Sequence, residues 1–99
     1  MMTGDKLSAK EAEAMNMIYK VVADEDYSDE LSAFAQKISL MPTRGLGLTK
    51  KAVNQSLTND LKKQLDLEEE LQTEAGQTYD FKEGVNAFLE KRKPEFKGE

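Results

Sequence analysis

Apolar residues recur every three or four positions through most of this chain, and a proline, a glycine or a short polar turn interrupts each run after one helix length. Leu31, Phe34, Ala35 and Ile38 follow the i, i+3, i+4, i+7 spacing of an amphipathic helix that opens at Ser28 and is ended by Pro42. Pro42 in turn suits the first position of a further helix through Leu46, Thr49, Lys50 and Val53. The longest helix is expected to start at Thr58 or Asn59, to carry Leu61, Leu65, Leu71 and Ala75 on one face, and to stop at Gly76. Asp80 with Glu83 reads as a capping box opening a last helix, with Phe81, Val85, Phe88 and Leu89 as its apolar stripe and Pro94 as its end. On periodicity alone Phe88 is a core residue. The expected fold is mostly α, with four to five helices in one unit over residues 1–99 and no internal repeat or low-complexity stretch.

The N-terminal part reads less uniformly. Ser8 and Glu11 fit a capping box, so a short helix should run to about Met15, with Asn16 as a left-handed stop. The β-branched and aromatic run 17–22 reads as one short strand, or as a segment that is merely extended, because no second convincing strand follows to pair with it. Gly45 and Gly47 sit inside a helical pattern and cost roughly 1 kcal/mol each relative to alanine, which suggests that another backbone approaches them closely.

Composition removes several functions. With 38% hydrophobic and 33% charged residues, the 99-residue chain is too apolar to be disordered and more charged than an average globular domain. The absence of cysteine and histidine excludes thiol chemistry and removes the commonest general base and metal ligand. A net charge of −5 argues against nucleic-acid binding, although Lys91, Arg92, Lys93 and Lys97 make the C-terminus basic, as suits the end of a helix dipole. No apolar run approaches the ~20 residues of a membrane span. Met1 and Met2 lead into no basic segment followed by an apolar one, so a cytoplasmic location is expected.

Most constellations have a structural reading. Gly45, Leu46 and Gly47 before Thr49 and Lys50 lack the order and spacing of a phosphate-binding loop. Asp24, Glu25, Asp26, Asp29 and Glu30 lack the pattern of a calcium loop and read as a solvated turn. Glu68 lies on the apolar face of the long helix beside Gln64, where it is either a tuned acid, half of a structural pair, or a residue at the margin of the face. Phe88 and Lys91 stand one helical turn apart near a helix end and could offer an aromatic face and a cation to a phosphorylated adenosine group, but their spacing alone reads as structural, and only a family resemblance raises the functional reading.

The run from Glu83 to Phe96 resembles the C-terminal sequence of the enoyl-CoA hydratase/isomerase (crotonase) superfamily. The similarity covers essentially the whole chain, beginning at the helix from Thr3 to Ala12 and continuing through 17–22, where Asn16 stands in place of the family's usual glycine. Within the superfamily, residues 41–50 and 64–68 resemble the phenylacetate-pathway isomerases that act on ring-epoxidised phenylacetyl-CoA. The resemblance implies a C-terminal helical third that packs against a catalytic core and contributes to homo-oligomer contacts. It also implies that the oxyanion-hole amides and the catalytic acid have no counterpart in this chain, which alone is expected to be inactive. Phe88 and Lys91 match the tail positions that in the family approach the adenosine end of the CoA thioester substrate; no other cofactor is implied. A different expectation is a stand-alone helical module that self-associates and binds no ligand, and a further one is a small acyl-CoA binder.

Overall fold

The computed structural model describes residues 4–99; Met1, Met2 and Thr3, which enter the reading of the N-terminus and the start of the family resemblance, lie outside the described residues. The chain is mostly α, in the order α1 Ala9–Ala14, α2 Tyr27–Ser39, α3 Thr43–Ser56, α4 Leu61–Gln77 and α5 Tyr79–Glu90. It divides into two compact units, Met1–Phe34 and Ala35–Glu99, with the division falling inside α2.

In the first unit, α1 has both halves of its capping box: the Ser8 side chain accepts from Glu11 N–H, and the Glu11 side chain accepts from the Ser8 backbone. Asn16 is left-handed at φ 57°, as its place after the helix requires. The segment 17–22 is not a strand; bends occupy 17–19 and no regular structure follows up to Ala23. An isolated strand leaves its backbone groups without a ladder, and here side chains hold the segment instead. Glu13 Oε1 accepts from Val21 N–H at 3.0 Å, Lys20 pairs with Glu30 at 2.6 Å, and the Tyr19 and Phe34 rings lie 5.3 Å apart.

The second unit is built on α4, which packs against both α3 and α5. Leu71 of α4 and Ala87 of α5 are its buried apolar residues. Gln64 ties the helices through polar bonds, its Nε2 donating to Ala52 O at 3.2 Å and its Oε1 accepting from Asn59 Nδ2 at 3.1 Å. Arg44 of α3 bridges to Glu74 of α4 at 2.7 Å.

Several helix ends differ from expectation. Pro42 is the N-cap of α3 rather than its first residue, and Asp60, whose carboxylate accepts from Lys63 N–H at 2.9 Å, caps α4 in place of Thr58 or Asn59. Gly76 does not stop α4. The helix runs on to Gln77, and Thr78, extended at ψ 156°, ends α4 and opens α5 by accepting from Phe81 N–H. A hydroxyl that caps the following helix makes the sharper boundary, so Gly76 is carried inside the helix. Gly45 and Gly47 do not meet a neighbouring backbone: a Cβ at either position would find nothing within 4 Å.

Candidate functional site

The candidate site is the C-terminal end of α5 and the tail that follows it. This helix is inverted with respect to its sequence pattern. Asp80, Glu83 and Ala87, spaced three and four residues apart, form the buried face, while Phe81, Val85, Phe88 and Leu89 are turned outward. Phe88 is therefore not core; it is 82% exposed. The reason lies in residues 92–99, which fold back along the helix and satisfy the two carboxylates.

Asp80, only 2% exposed, accepts from the backbone N–H groups of Lys97 at 2.7 Å and Gly98 at 2.8 Å, while its own N–H donates to Glu99 O at 3.0 Å. It is thus a clasp for the tail, and the capping role expected for it belongs to Thr78. Glu83 accepts from both terminal nitrogens of Arg92 at 2.6 and 2.9 Å and from Glu95 N–H at 2.8 Å. These bonds, the Arg92 guanidinium foremost, stabilise the carboxylate and lower its pKa from an ordinary 4.5 to about 2. The bonds that Arg92 donates to Glu83, and after them the one it donates to Glu90, raise the pKa of Arg92. Between these anchors the Phe96 ring lies 3.6 Å from where a Cβ on Gly84 would stand, and Lys97 Nζ sits 4.2 Å from the centre of the Tyr79 ring.

Lys91 occupies the turn between helix and tail. Its φ of 55° is left-handed, and the bonds from Lys91 N–H to Phe88 O and from Arg92 N–H to Ala87 O close the helix as glycine-terminated helices are closed. A lysine there carries a steric cost of roughly 1–2 kcal/mol that glycine avoids. Both Phe88 and Lys91 are exposed, one turn apart, so the structure brings the expected pair together on an open surface.

The second unit also carries two apolar depressions, of which only the second borders the clasp. A groove of about 460 Å³ between α3 and α4 is lined by Leu48, Ala52, Val53, Leu71 and Ala75, with Gln64 and Glu68 contributing polar atoms. Glu68 is exposed and accepts from Gln64 Nε2 at 2.8 Å, which is the marginal position rather than a buried acid. A second depression of about 350 Å³ lies among Pro42, Phe81, Val85 and Phe96. Among the described residues no cluster of acidic, histidine or cysteine side chains is arranged to hold a metal ion, and no helix is long and apolar enough to cross a membrane.

The tail clasp escaped the sequence reading because its acceptors bind backbone N–H groups, which carry no side-chain pattern. The available signal was the pair Glu83 and Arg92, nine residues apart across a helix end.

Comparison with known proteins gives one consistent result. The family profile described as enoyl-CoA hydratase/isomerase matches residues 1–99. The chain is 47% identical over 95 residues to a 1,2-epoxyphenylacetyl-CoA isomerase of Escherichia coli, covering 96% of this chain and 36% of that protein. It is 33% identical over 94 residues to a crotonyl-CoA hydratase of Syntrophomonas wolfei, covering 95% of this chain and 36% of that protein. The crystal structure of an enoyl-CoA hydratase from Bacillus anthracis superposes with a TM-score of 0.82 at 32% identity, over 99% of this chain and 38% of the other. The chain thus spans little more than a third of the length of these relatives.

Proposed function

Because the chain belongs to the enoyl-CoA hydratase/isomerase family, we propose that it acts as the C-terminal helical segment of such a protein, in assembly contacts and at the adenosine end of the acyl-CoA site. The observation that carries this reading is the inversion of α5. A helix that buries two carboxylates under its own tail and presents Phe81, Val85, Phe88 and Leu89 outward has an apolar face built for another surface. A core of the parent protein or a second copy of the chain covers that face. Phe88 and Lys91 then offer an aromatic plane and an ammonium group to the adenine and 3′-phosphate of CoA. The 47% identical relative, named as acting on 1,2-epoxyphenylacetyl-CoA, supports a ring-epoxidised phenylacetyl thioester as the acyl group and phenylacetate degradation as the setting.

Turnover is assigned to the parent protein rather than to this chain alone. Isomerising or hydrating an enoyl thioester needs preorganised donors for the developing oxyanion, and losing a single one typically costs about 10²–10³ in rate. The resemblance carries none of those donors onto these residues. Purified chain should give no measurable turnover of crotonyl-CoA or of an epoxyphenylacetyl-CoA analogue, and should self-associate as its concentration rises in sedimentation velocity. Measurable turnover, or a strict monomer at high concentration, would count against the reading. Self-association without any response to CoA would favour the second reading, a helical interaction module, which the same outward stripe supports.

A further inference from the structure

The turn that holds Lys91 is braced from both sides by one residue. Arg92 Nε donates to the carboxylate of Glu90 at 2.6 Å, its terminal nitrogens grip Glu83 at 2.6 and 2.9 Å, and one of them also reaches Lys93 O at 3.2 Å. Glu90 and Lys93 flank the turn on either side, and Glu83 lies two helical turns back on the buried face. A planar, five-donor guanidinium suits this arrangement, and an ammonium does not. Lys91 itself adopts a backbone conformation that side-chain-bearing residues rarely hold unless the surroundings impose it.

We propose that Arg92 and Glu83 are positioning residues: by bracing the turn after α5 they keep Lys91 left-handed, one turn from Phe88, in the geometry that receives the CoA 3′-phosphate. The inference rests on the CoA reading above and adds to it two residues that need not touch the ligand. Both side chains are engaged within the chain: Arg92 donates to Glu83, Glu90 and Lys93 O, and Glu83 accepts from Arg92 and from Glu95 N–H. Their contribution is to the population of one backbone conformer, and apparent affinity falls in proportion to that population.

The test compares the parent chain with Arg92→Lys and Glu83→Gln, using labelled protein. The three-bond amide-to-Hα coupling of Lys91, read together with its intraresidue amide-to-Hα NOE, reports its φ, and titrations with CoA and with 3′-dephospho-CoA report the ligand side. If the variants reduce the left-handed population to about a tenth, CoA binding weakens about tenfold while 3′-dephospho-CoA binding is unchanged, so the preference for the 3′-phosphate disappears. A merely structural loss weakens both ligands equally, and that outcome overturns the proposal. So does an unchanged Lys91 coupling in both variants. Should Glu83→Gln unfold, Arg92→Lys alone carries the comparison, because it keeps the charge and removes only the bidentate grip. A parent chain that shows the left-handed coupling but no CoA response overturns the CoA reading and the positioning role with it. A parent chain that binds CoA with affinity untouched in the variants overturns the positioning role alone.

Discussion

Replacing Asp80 by alanine should loosen the tail and lower the stability of the second unit by an amount that follows from its contacts. The carboxylate is 2% exposed and accepts two backbone N–H groups, from Lys97 and Gly98, at 2.7 and 2.8 Å. Hydrogen bonds to a charged group contribute about 1.5–3 kcal/mol each, so the two together are worth roughly 3–6 kcal/mol if the freed donors stay buried. They need not stay buried. Both donors lie within three residues of Glu99, and a released tail returns them to water, which brings the expected loss down to about 2–4 kcal/mol. Asp80→Asn keeps one acceptor oxygen and turns an amide N–H₂ toward the other donor, so its loss should fall about midway. Urea unfolding gives the free energies, and amide exchange at Lys97 and Gly98 gives the local effect. Loss below about 0.5 kcal/mol, typical of a surface substitution, with exchange at both amides unchanged, would refute the clasp.

Four further outcomes follow from the same geometry. Glu83 has its pKa lowered from 4.5 to about 2 in the folded chain, so between those values the unfolded state binds the additional proton; stability from this group is complete above pH 4.5 and is lost as the pH falls toward about 2. Urea midpoints across that window should drop more steeply for the parent than for Glu83→Gln, and parallel profiles would contradict the assignment. Gly98→Ala should destabilise by about 1–2 kcal/mol or detach the tail, because φ is +78° and a Cβ would collide with Thr43 Oγ1; an unchanged melting curve with a protected tail would count against it. Gly47→Ala should stabilise the chain by about 0.5–1 kcal/mol, since the position is helical and its Cβ would meet open space, and a lowered melting temperature would show that something does pack there. Leu71→Ala should cost about 2–5 kcal/mol as a cavity at the α4 core, measured by the same unfolding; a near-neutral result would mean that α4 is not the centre of the unit.

The helices were legible in the sequence because each carries a local instruction. Ser8 and Glu11 cap α1 through bonds three residues apart, and the spacing of Leu31, Phe34 and Ile38 marks α2 whatever surrounds it. The family resemblance was equally legible, and the profile match across residues 1–99 bears it out. What the sequence did not show is where faces point. Periodicity placed Phe88 in a core, but the amphipathic rule assumes that the apolar side faces inward within the same chain, and α5 turns that side out. Asp80 looked like a cap because an acid in the first turn commonly is one; its partners, two backbone amides more than fifteen residues downstream, leave no trace in composition. Gly45 and Gly47 pointed to a close neighbour, yet within this chain they face open space.

The most direct test of the account is a titration of the labelled chain with CoA, following backbone amides from Asp80 to Lys97. Saturable shifts centred on Phe88 and Lys91, lost when 3′-dephospho-CoA replaces CoA, are the predicted result. No shift at millimolar CoA would contradict it, and would leave the outward face of α5 as a packing surface without a ligand.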